Sequence, residues 1–190
     1  MASAIRMLQA EHDLILRALE AADHAAWRLE HGQPVPRASL PALLQFFSYV
    51  VHHSHRDKEE GLLFSALQEK GLPDAGEWLA GLTAEHEKCL VAFKGMATAA
   101  DAYCGAATPM PSEGLRWARL ARQYTAAVRR LLSREEQLLF GNAKQALKPK
   151  ELEALAKEFK RIDESAQRSG LAEIMDAFER AAWDLRIVKE

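Results

Sequence analysis

HRDKEEGLLF, residues 55–64, is the stretch of sequence that decides the fold, because it returns in modified form as LLSREEQLLF at residues 131–140. The offset between the two copies is 131 − 55 = 76 residues. A second pair of matching segments lies upstream, AEHD at residues 10–13 and AEHE at residues 84–87. The first two-thirds of the chain therefore consist of two similar halves, and a repeat of this kind constrains the fold before any other feature does.

The two copies place carboxylates on the apolar face of their helices. Glu59 and Glu135 share a helical stripe with apolar neighbours, so both are expected to face the core. Buried without partners, each would cost several kcal/mol, and the two would repel one another across a bundle. A bound cation removes both problems. His55 lies one turn before Glu59 and can reach the same ion, whereas Leu131 takes the place of that histidine in the second copy.

The upstream segments add one histidine to each half, His12 and His86. A single Lys-Glu-Glu motif usually belongs to a solvated helix surface, and a lone histidine on an apolar face is usually a satisfied core residue. Here the motif occurs twice at matched spacing, and a matched histidine helix precedes each copy. That coincidence favours a metal site, because bundles hold metal pairs with carboxylates and imidazoles from facing helices.

Composition limits the class of protein. The chain has 190 residues, 48% of them apolar, and a net charge of −2, so it can bury one core and carries no overall bias toward nucleic acid or anionic membranes. Its two cysteines are too few for a disulfide framework and fit a reducing compartment. The N-terminus does not read as a signal peptide, and no apolar run approaches the roughly 20 residues of a membrane helix. These features predict a cytoplasmic protein.

Apolar residues recur at helical spacing through most of the chain, and no stretch alternates with a period of two. The expected fold class is all-α: an antiparallel up-down-up-down four-helix bundle in residues 1–148, with two additional C-terminal helices in residues 149–190 packed on it. Ser39 and Ser112 are the expected N-caps of the second and fourth helices. Glycine and proline bound the predicted helices, which cover approximately residues 4–31, 40–70, 75–103, 112–147, 150–168 and 171–186.

These motifs resemble the hemerythrin-like, or HHE cation-binding, domain family over residues 4–147. The family has a histidine on helices one and three and His-x-x-x-Glu on helices two and four. Its pattern is matched by His12, His55, Glu59, His86 and Glu135, whereas Leu131 departs from it. The resemblance implies two carboxylates that bridge two non-haem irons, with His12 and His55 on the first iron and only His86 left for the second. It also implies an O2, NO or peroxide-type ligand.

The resemblance leaves the number and identity of the metals open: one or two iron ions, or another divalent metal. His52, one turn before His55, is either a donor or substitute ligand at the site or a histidine bonded to a neighbouring helix. Tyr124 lies two turns before Leu131, about 11 Å along the helix, and is expected to form a pocket wall.

Two other functions compete with a reactive metal centre. The first is a non-enzymatic bundle with a mononuclear or vestigial site, which would act as a regulatory or partner-binding module; homodimerisation remains open. The second is nucleic-acid binding. It is not expected, because the candidate arginines do not share one helix face: Arg116, Arg119, Arg122, Arg129, Arg130 and Arg134. No motif for nucleophilic catalysis is present.

Overall fold

The computed structural model describes residues 3–168 and 170–186, and every regular element in these residues is a helix. Four long helices come first, followed by two shorter ones. Their bounds are α1 Ala4–Glu30, α2 39–68, α3 Ala75–Gly105, α4 111–146, α5 Pro149–Arg168 and α6 Leu171–Leu185. The predicted all-α class, a helical bundle with additional C-terminal helices, is therefore confirmed.

Two of the long helices change their hydrogen-bond register along their length. Helix α2 is π-helical over Phe47–His55 and again over Asp57–Leu63. Helix α4 is π-helical over Glu135–Leu139. A π-helical turn bonds residue i to i+5 and is rare, and it frequently marks a functional site. The irregular segments of the two helices coincide with the repeated motif.

The helix ends follow the turn residues in the sequence. Gly32 and Gly71 end α1 and α2 with φ of +67° and +63°, a conformation in which a side chain would be strained. The expected serine caps are wrong. Ala38 and Met110 hold the N-cap positions of α2 and α4, and neither makes a side-chain capping bond. The first turn of α4 instead begins with Pro111, which lacks the N–H that a cap would satisfy.

Helices α1 to α4 surround one apolar core whose largest members are fully buried aromatic rings. Phe47 on α2 and Tyr124 on α4 pack edge to face at 5.0 Å between ring centroids. Trp117 is buried one level further toward the start of α4. Burial of such side chains contributes about 1.5–3 kcal/mol each. This core holds the four helices at fixed spacing and so fixes the side chains that project between them.

The two C-terminal helices lie against α1 and α2. The Phe178 ring of α6 contacts the Phe46 ring of α2 at 4.5 Å, and both are fully buried. Arg17 of α1 forms a 2.8 Å ion pair with Glu179 of α6. Helix α5 contributes Phe159 to the same core. One face of the bundle is thus covered by α5 and α6.

Candidate metal centre

Four buried side chains from three helices converge in the middle of the bundle. Each offers one ligand atom, and these atoms all lie within 4.8 Å of one another. Ligands that surround one ion at about 2.1 Å lie up to about 4.2 Å apart, so the cluster has nearly the dimensions of a coordination shell. The members are His12 from α1, His55 and Glu59 from α2, and Glu135 from α4.

His86 from α3 approaches the same carboxylates from another direction. Its Nε2 atom lies 2.9 Å from Glu135 Oε1 and 3.4 Å from Glu59 Oε2. The His12 Nε2 atom lies 3.2 Å from Glu135 Oε2, and the His55 Nε2 atom lies 3.5 Å from Glu59 Oε1. The two carboxylates therefore stand between a pair of histidines and a single histidine. The structure brings together all five side chains that the sequence singled out.

Each of the three histidines also has a carboxylate on its other ring nitrogen. The Nδ1 atoms of His12, His55 and His86 lie 3.2, 2.8 and 2.6 Å from Glu136, Glu11 and Glu60, respectively. Because an ionised carboxylate only accepts, each Nδ1–H must donate. In metal sites this arrangement fixes the tautomer and turns the Nε2 lone pair toward the ion.

The orientation of the Nε2 lone pairs matters most for His12 and His55. The Nε2 atoms of His12 and His55 face each other at 3.2 Å. If both Nδ1 atoms donate outward, both Nε2 atoms present lone pairs to the same point. Two lone pairs at this distance repel unless a proton or a metal cation lies between them.

The carboxylate oxygens have the same need for a cation. Among the described residues, both oxygens of Glu59 and Oε2 of Glu135 are buried and have no hydrogen-bond partner. The nearest imidazole nitrogens lie 3.2–3.5 Å away without hydrogen-bond geometry. Leaving such groups unsatisfied is costly. A metal ion between the carboxylates would satisfy these oxygens, and a donor set of imidazole nitrogens and carboxylate oxygens suits iron, among other divalent metals.

The protonation equilibria of the metal-free site show how strongly it favours positive charge. Burial alone would lower the pKa of His55, but the charges of Glu59 and Glu11 outweigh burial and raise it to about 9. Burial also opposes protonation of His86, yet the nearby carboxylates of Glu135, Glu59 and Glu60 raise its pKa to about 11. Burial and repulsion from Glu135 raise the pKa of Glu59. Protons therefore occupy the place that a metal cation would take.

A fully buried lysine, Lys58, reinforces one side of the centre. Its Nζ atom donates to Glu11, the carboxylate on His55, and to Asp163 of α5. A buried ammonium persists only when it is paired, and here it has two acidic partners. The chain Asp163–Lys58–Glu11–His55 connects a C-terminal helix to the site.

The repeat recurs in these supporting residues. Glu11 and Lys58 correspond to Glu85 and Arg134, which also form an ion pair. In the first half this acid–base pair supports His55. In the second half the position it would support holds Leu131, which is buried. The second half therefore has an acid–base pair at the equivalent positions but no histidine at position 131.

His52 was expected either at the site or bonded to a neighbouring helix. Its Nε2 atom lies 3.1 Å from the Tyr124 hydroxyl on α4, so the second alternative describes its bonding. Burial and the charge of His86 lower the pKa of His52 to about 4, which makes the neutral ring the acceptor of the phenolic proton. Its ring nevertheless lines the small cavity beside His86.

Sequence reasoning missed Glu11, Glu60, Glu136 and Asp163. The signal for the first three was present, because each is the immediate neighbour of a predicted ligand. The two residues of each Glu-Glu motif have different contacts. The first residue of each pair faces the centre, and the second accepts a hydrogen bond from a histidine of another helix.

The candidate arginines on α4 are mostly engaged with acidic side chains. Those with an ion pair are Arg116, Arg122, Arg129 and Arg134. In the described part of the chain, no helix is both long and apolar enough to cross a membrane.

Comparison with known proteins agrees with the geometry. The model of the hemerythrin HHE cation binding domain matches residues 3–143, about three-quarters of the chain. No curated protein and no solved structure matches the chain. The family match covers all four long helices except the last three residues of α4, and it includes every side chain of the cluster. The chain belongs to the hemerythrin HHE cation-binding family.

Proposed function

We propose that the protein holds one or two non-haem iron ions and acts on, or responds to, O2, NO or a peroxide. The observation that carries this proposal is the set of unpartnered carboxylate oxygens among three histidines, each fixed by a carboxylate on its far nitrogen. The proposed ligands are His12, His55, Glu59, His86 and Glu135.

The two positions are proposed to differ in strength. The stronger one would be held by His12 and His55 together with the carboxylates of Glu59 and Glu135. The weaker one has His86 and the remaining carboxylate oxygens, since Leu131 cannot coordinate a metal. We expect the stronger position to fill first, and the occupancy of the second to depend on water or on a small ligand.

The protein residues make the centre suited to small molecules. When bound, iron would supply a coordination position at which a diatomic molecule or peroxide replaces water. His12, His55 and His86 are held in one tautomer by their carboxylates, so they need no reorientation to bind. Apolar walls that include Leu131 and Val128 exclude bulk water from the carboxylates.

Iron content decides this proposal. After expression in iron-rich medium, elemental analysis of the parent should find between one and two irons per chain, and His55→Ala should lose most of this iron. His53→Ala is the matched control, because His53 lies two residues before His55 and its side chain is 63% exposed. A parent without metal, or a His55→Ala variant that retains the parent's iron, would refute the ligand assignment.

The alternative, a mononuclear or vestigial site in a regulatory module, predicts a different result. The parent would then hold at most one iron per chain, and its absorption spectrum would not change on addition of O2, NO or peroxide. The free thiols Cys89 and Cys104 fit the cytoplasm as the proposed location.

A further inference from the structure

Helices α5 and α6 lie outside the family match, which ends at residue 143. They nevertheless share the core of the four-helix bundle. Phe159 of α5 and Phe178 of α6 are fully buried in it, and Ala156 of α5 is 5% exposed. The two helices therefore belong to the folded unit that contains the metal centre, although they are not part of the matched domain.

A line of polar contacts runs from α5 to one of the proposed ligands. The Nζ atom of Lys58 donates to Asp163 Oδ1 and to Glu11 Oε1. The second oxygen of Glu11, Oε2, accepts a hydrogen bond at 2.8 Å from Nδ1 of His55. The opposite nitrogen of His55, Nε2, faces the centre. Three contacts thus connect a carboxylate of α5 with a ring that is proposed to bind metal.

The buried ammonium of Lys58 is the critical step in this line. The side chain is fully buried, and such a charge needs anionic partners. It uses one oxygen of Glu11 and leaves the other to His55, so the carboxylate cannot turn without breaking one of its two bonds. Without Asp163, Lys58 would keep Glu11 as its single acidic partner among the described residues. The ammonium would then be free to move toward water together with Glu11, and the His55 ring would lose its fixed acceptor.

The other two supporting carboxylates are held from within the four-helix bundle. Glu60 is paired at 3.1 Å with Arg56 of its own helix, α2. Glu136 accepts a hydrogen bond at 3.0 Å from Gln9 of α1. The support of His55 differs, since its carboxylate is held through a lysine by a C-terminal helix. A change in the docking of α5 should therefore act first on this one ligand.

A second ion pair between the end of α2 and α5 provides an internal control. Lys70, two residues beyond α2, pairs at 2.6 Å with Glu151 in the first turn of α5. The two acids of α5 have similar exposure, 34% for the Asp163 side chain and 40% for that of Glu151. The contacts of Glu151, with Lys70 and with the backbone N–H of Lys148, involve no supporting carboxylate. Loss of this pair should weaken the docking of α5 and leave the contacts of His55 intact.

We propose that Asp163 is a positioning residue of the metal centre, and that docking of α5 and binding of a divalent metal ion strengthen each other. The proposal rests on the proposed metal site and adds to it a segment beyond the matched domain. A docked α5 holds Lys58 and Glu11 so that His55 presents Nε2 to the ion. Because coupling between two equilibria is reciprocal, a bound ion must in turn oppose the opening of α5. The docking of the C-terminal helices then depends on whether the His12–His55 side is occupied.

The first measurement is the affinity of the full chain for cobalt(II), a spectroscopic substitute for iron(II), by competition with a chelator. Asp163→Asn keeps the size of the side chain and removes its charge, and it should weaken the tighter site at least about fivefold, the lower end of typical couplings. Glu151→Gln is the matched control and should stay within about twofold of the parent, as expected for an exposed ion pair. An Asp163→Asn chain that binds cobalt(II) as tightly as the parent would overturn the proposal.

Hydrogen exchange of the α5 amides tests the reciprocal effect. Saturating cobalt(II) should slow exchange by local opening of α5 in the parent at least about fivefold. This gain in protection should be largely lost in Asp163→Asn and retained in Glu151→Gln. Equal gains in all three proteins would show that the metal stabilises the whole fold rather than the contact through Asp163, and the coupling would be overturned.

A double-mutant cycle separates positioning from a general loss of stability. Lys58→Met removes the ammonium and keeps an unbranched side chain of similar length in the buried position. If Asp163 acts through Lys58, Asp163→Asn in the Lys58→Met background should cause no further loss of cobalt(II) affinity. Additive losses would overturn the proposed line of contacts.

Metal uptake separates this proposal from the proposed function. A parent chain that takes up neither cobalt(II) nor iron refutes the proposed function, and the coupling is refuted with it. A parent that binds metal with an affinity insensitive to Asp163→Asn refutes the coupling alone.

Discussion

Leu131→His should complete the second half of the centre, and its effect should depend on Glu85. In the first half, Glu11 accepts from His55 Nδ1 at 2.8 Å and Lys58 holds Glu11. Glu85 and Arg134 are the equivalent pair in the second half. An imidazole introduced at position 131 would therefore find its supporting carboxylate already in place.

The expected change in the free energy of unfolding follows from these contacts. Loss of the buried leucine costs about 1.5–3 kcal/mol of apolar burial. The new hydrogen bond to Glu85 returns about 1.5–3 kcal/mol because its acceptor is charged. We therefore expect the metal-free variant to change by less than about 2 kcal/mol, which shifts Tm by no more than roughly 8 °C in a chain of this size. Bound iron should rise toward two per chain.

The dependence on Glu85 gives the sharper measurement. A carboxylate that supports a ligating histidine is worth about 10–100-fold in metal affinity. Glu85→Gln in the Leu131→His background should therefore lower the affinity of the second site by that factor. In the parent, Glu85 supports no ligand, and the same substitution should remove only the exposed ion pair with Arg134. The free energy of unfolding should then fall by about 0–1 kcal/mol, and the bound metal should not change.

Iron per chain and competition with a chelator should be measured in the parent, in both single variants and in the double variant. Equal losses of metal affinity from Glu85→Gln in both backgrounds would refute the equivalence of the two supporting pairs. Two tightly bound irons in the parent, unchanged in Leu131→His, would show that another residue already completes the second site and that the asymmetry argument is wrong.

Three further predictions concern stability. Asp163→Ala should lower the free energy of unfolding by about 1–2 kcal/mol, because buried Lys58 loses one of its two acidic partners. The loss is limited because Asp163 is one-third exposed. Chemical denaturation measures this change, with the exposed Glu164→Ala as the control. Because the pKa of His86 is raised to about 11, its protonation should stabilise the metal-free protein fully below about pH 6.5, and this stabilisation should be lost as pH rises toward 11. Chemical denaturation should therefore give a higher free energy of unfolding at pH 6 than at pH 9. His86→Gln should reduce this difference. Gly141→Ala should add up to about 1 kcal/mol and raise Tm in thermal unfolding, since the added Cβ meets nothing within 4 Å of this helical position.

The helices could be predicted closely because their ends carry unambiguous residues. Gly32 and Gly71 adopt positive φ, and proline opens α4 and α5. The serine caps were wrong because Pro111 starts α4 one residue before Ser112, and the turn before α2 already places Ala38 in a helical conformation. Local capping preference was outweighed by neighbouring residues with stronger backbone constraints.

The π-helical segments could not be predicted in the same way. They have no composition of their own, and the wider turns over Asp57–Leu63 and Glu135–Leu139 depend on the groups that the helices face. The supporting carboxylates were missed for a related reason. Glu60 and Glu136 read as solvated neighbours of a ligand, but each bonds a histidine on another helix, which sequence spacing alone does not show.

Asp163 illustrates what lies beyond the repeat. It belongs to neither half, and nothing in the local sequence of α5 marks it as a partner of Lys58. Yet it is the contact through which the C-terminal helices reach one side of the centre. On the other side, Arg134 and Glu85 occupy the equivalent positions of the repeat and line a groove that opens to solvent.

The asymmetry of the centre therefore has two independent sources in the sequence. One is a single difference inside the repeat, Leu131, which leaves one histidine of the five clustered side chains, His86, on its side of the carboxylates. The other is the C-terminal pair of helices, of which α5 reaches the His12–His55 side through the contact of Asp163 with Lys58. Either change alone would leave a site that is unequal in ligands or in access. Both differences distinguish the same two sides of the centre: α5 lies over the side with two histidines, His12 and His55, whereas the side with one histidine, His86, has Leu131 in its wall.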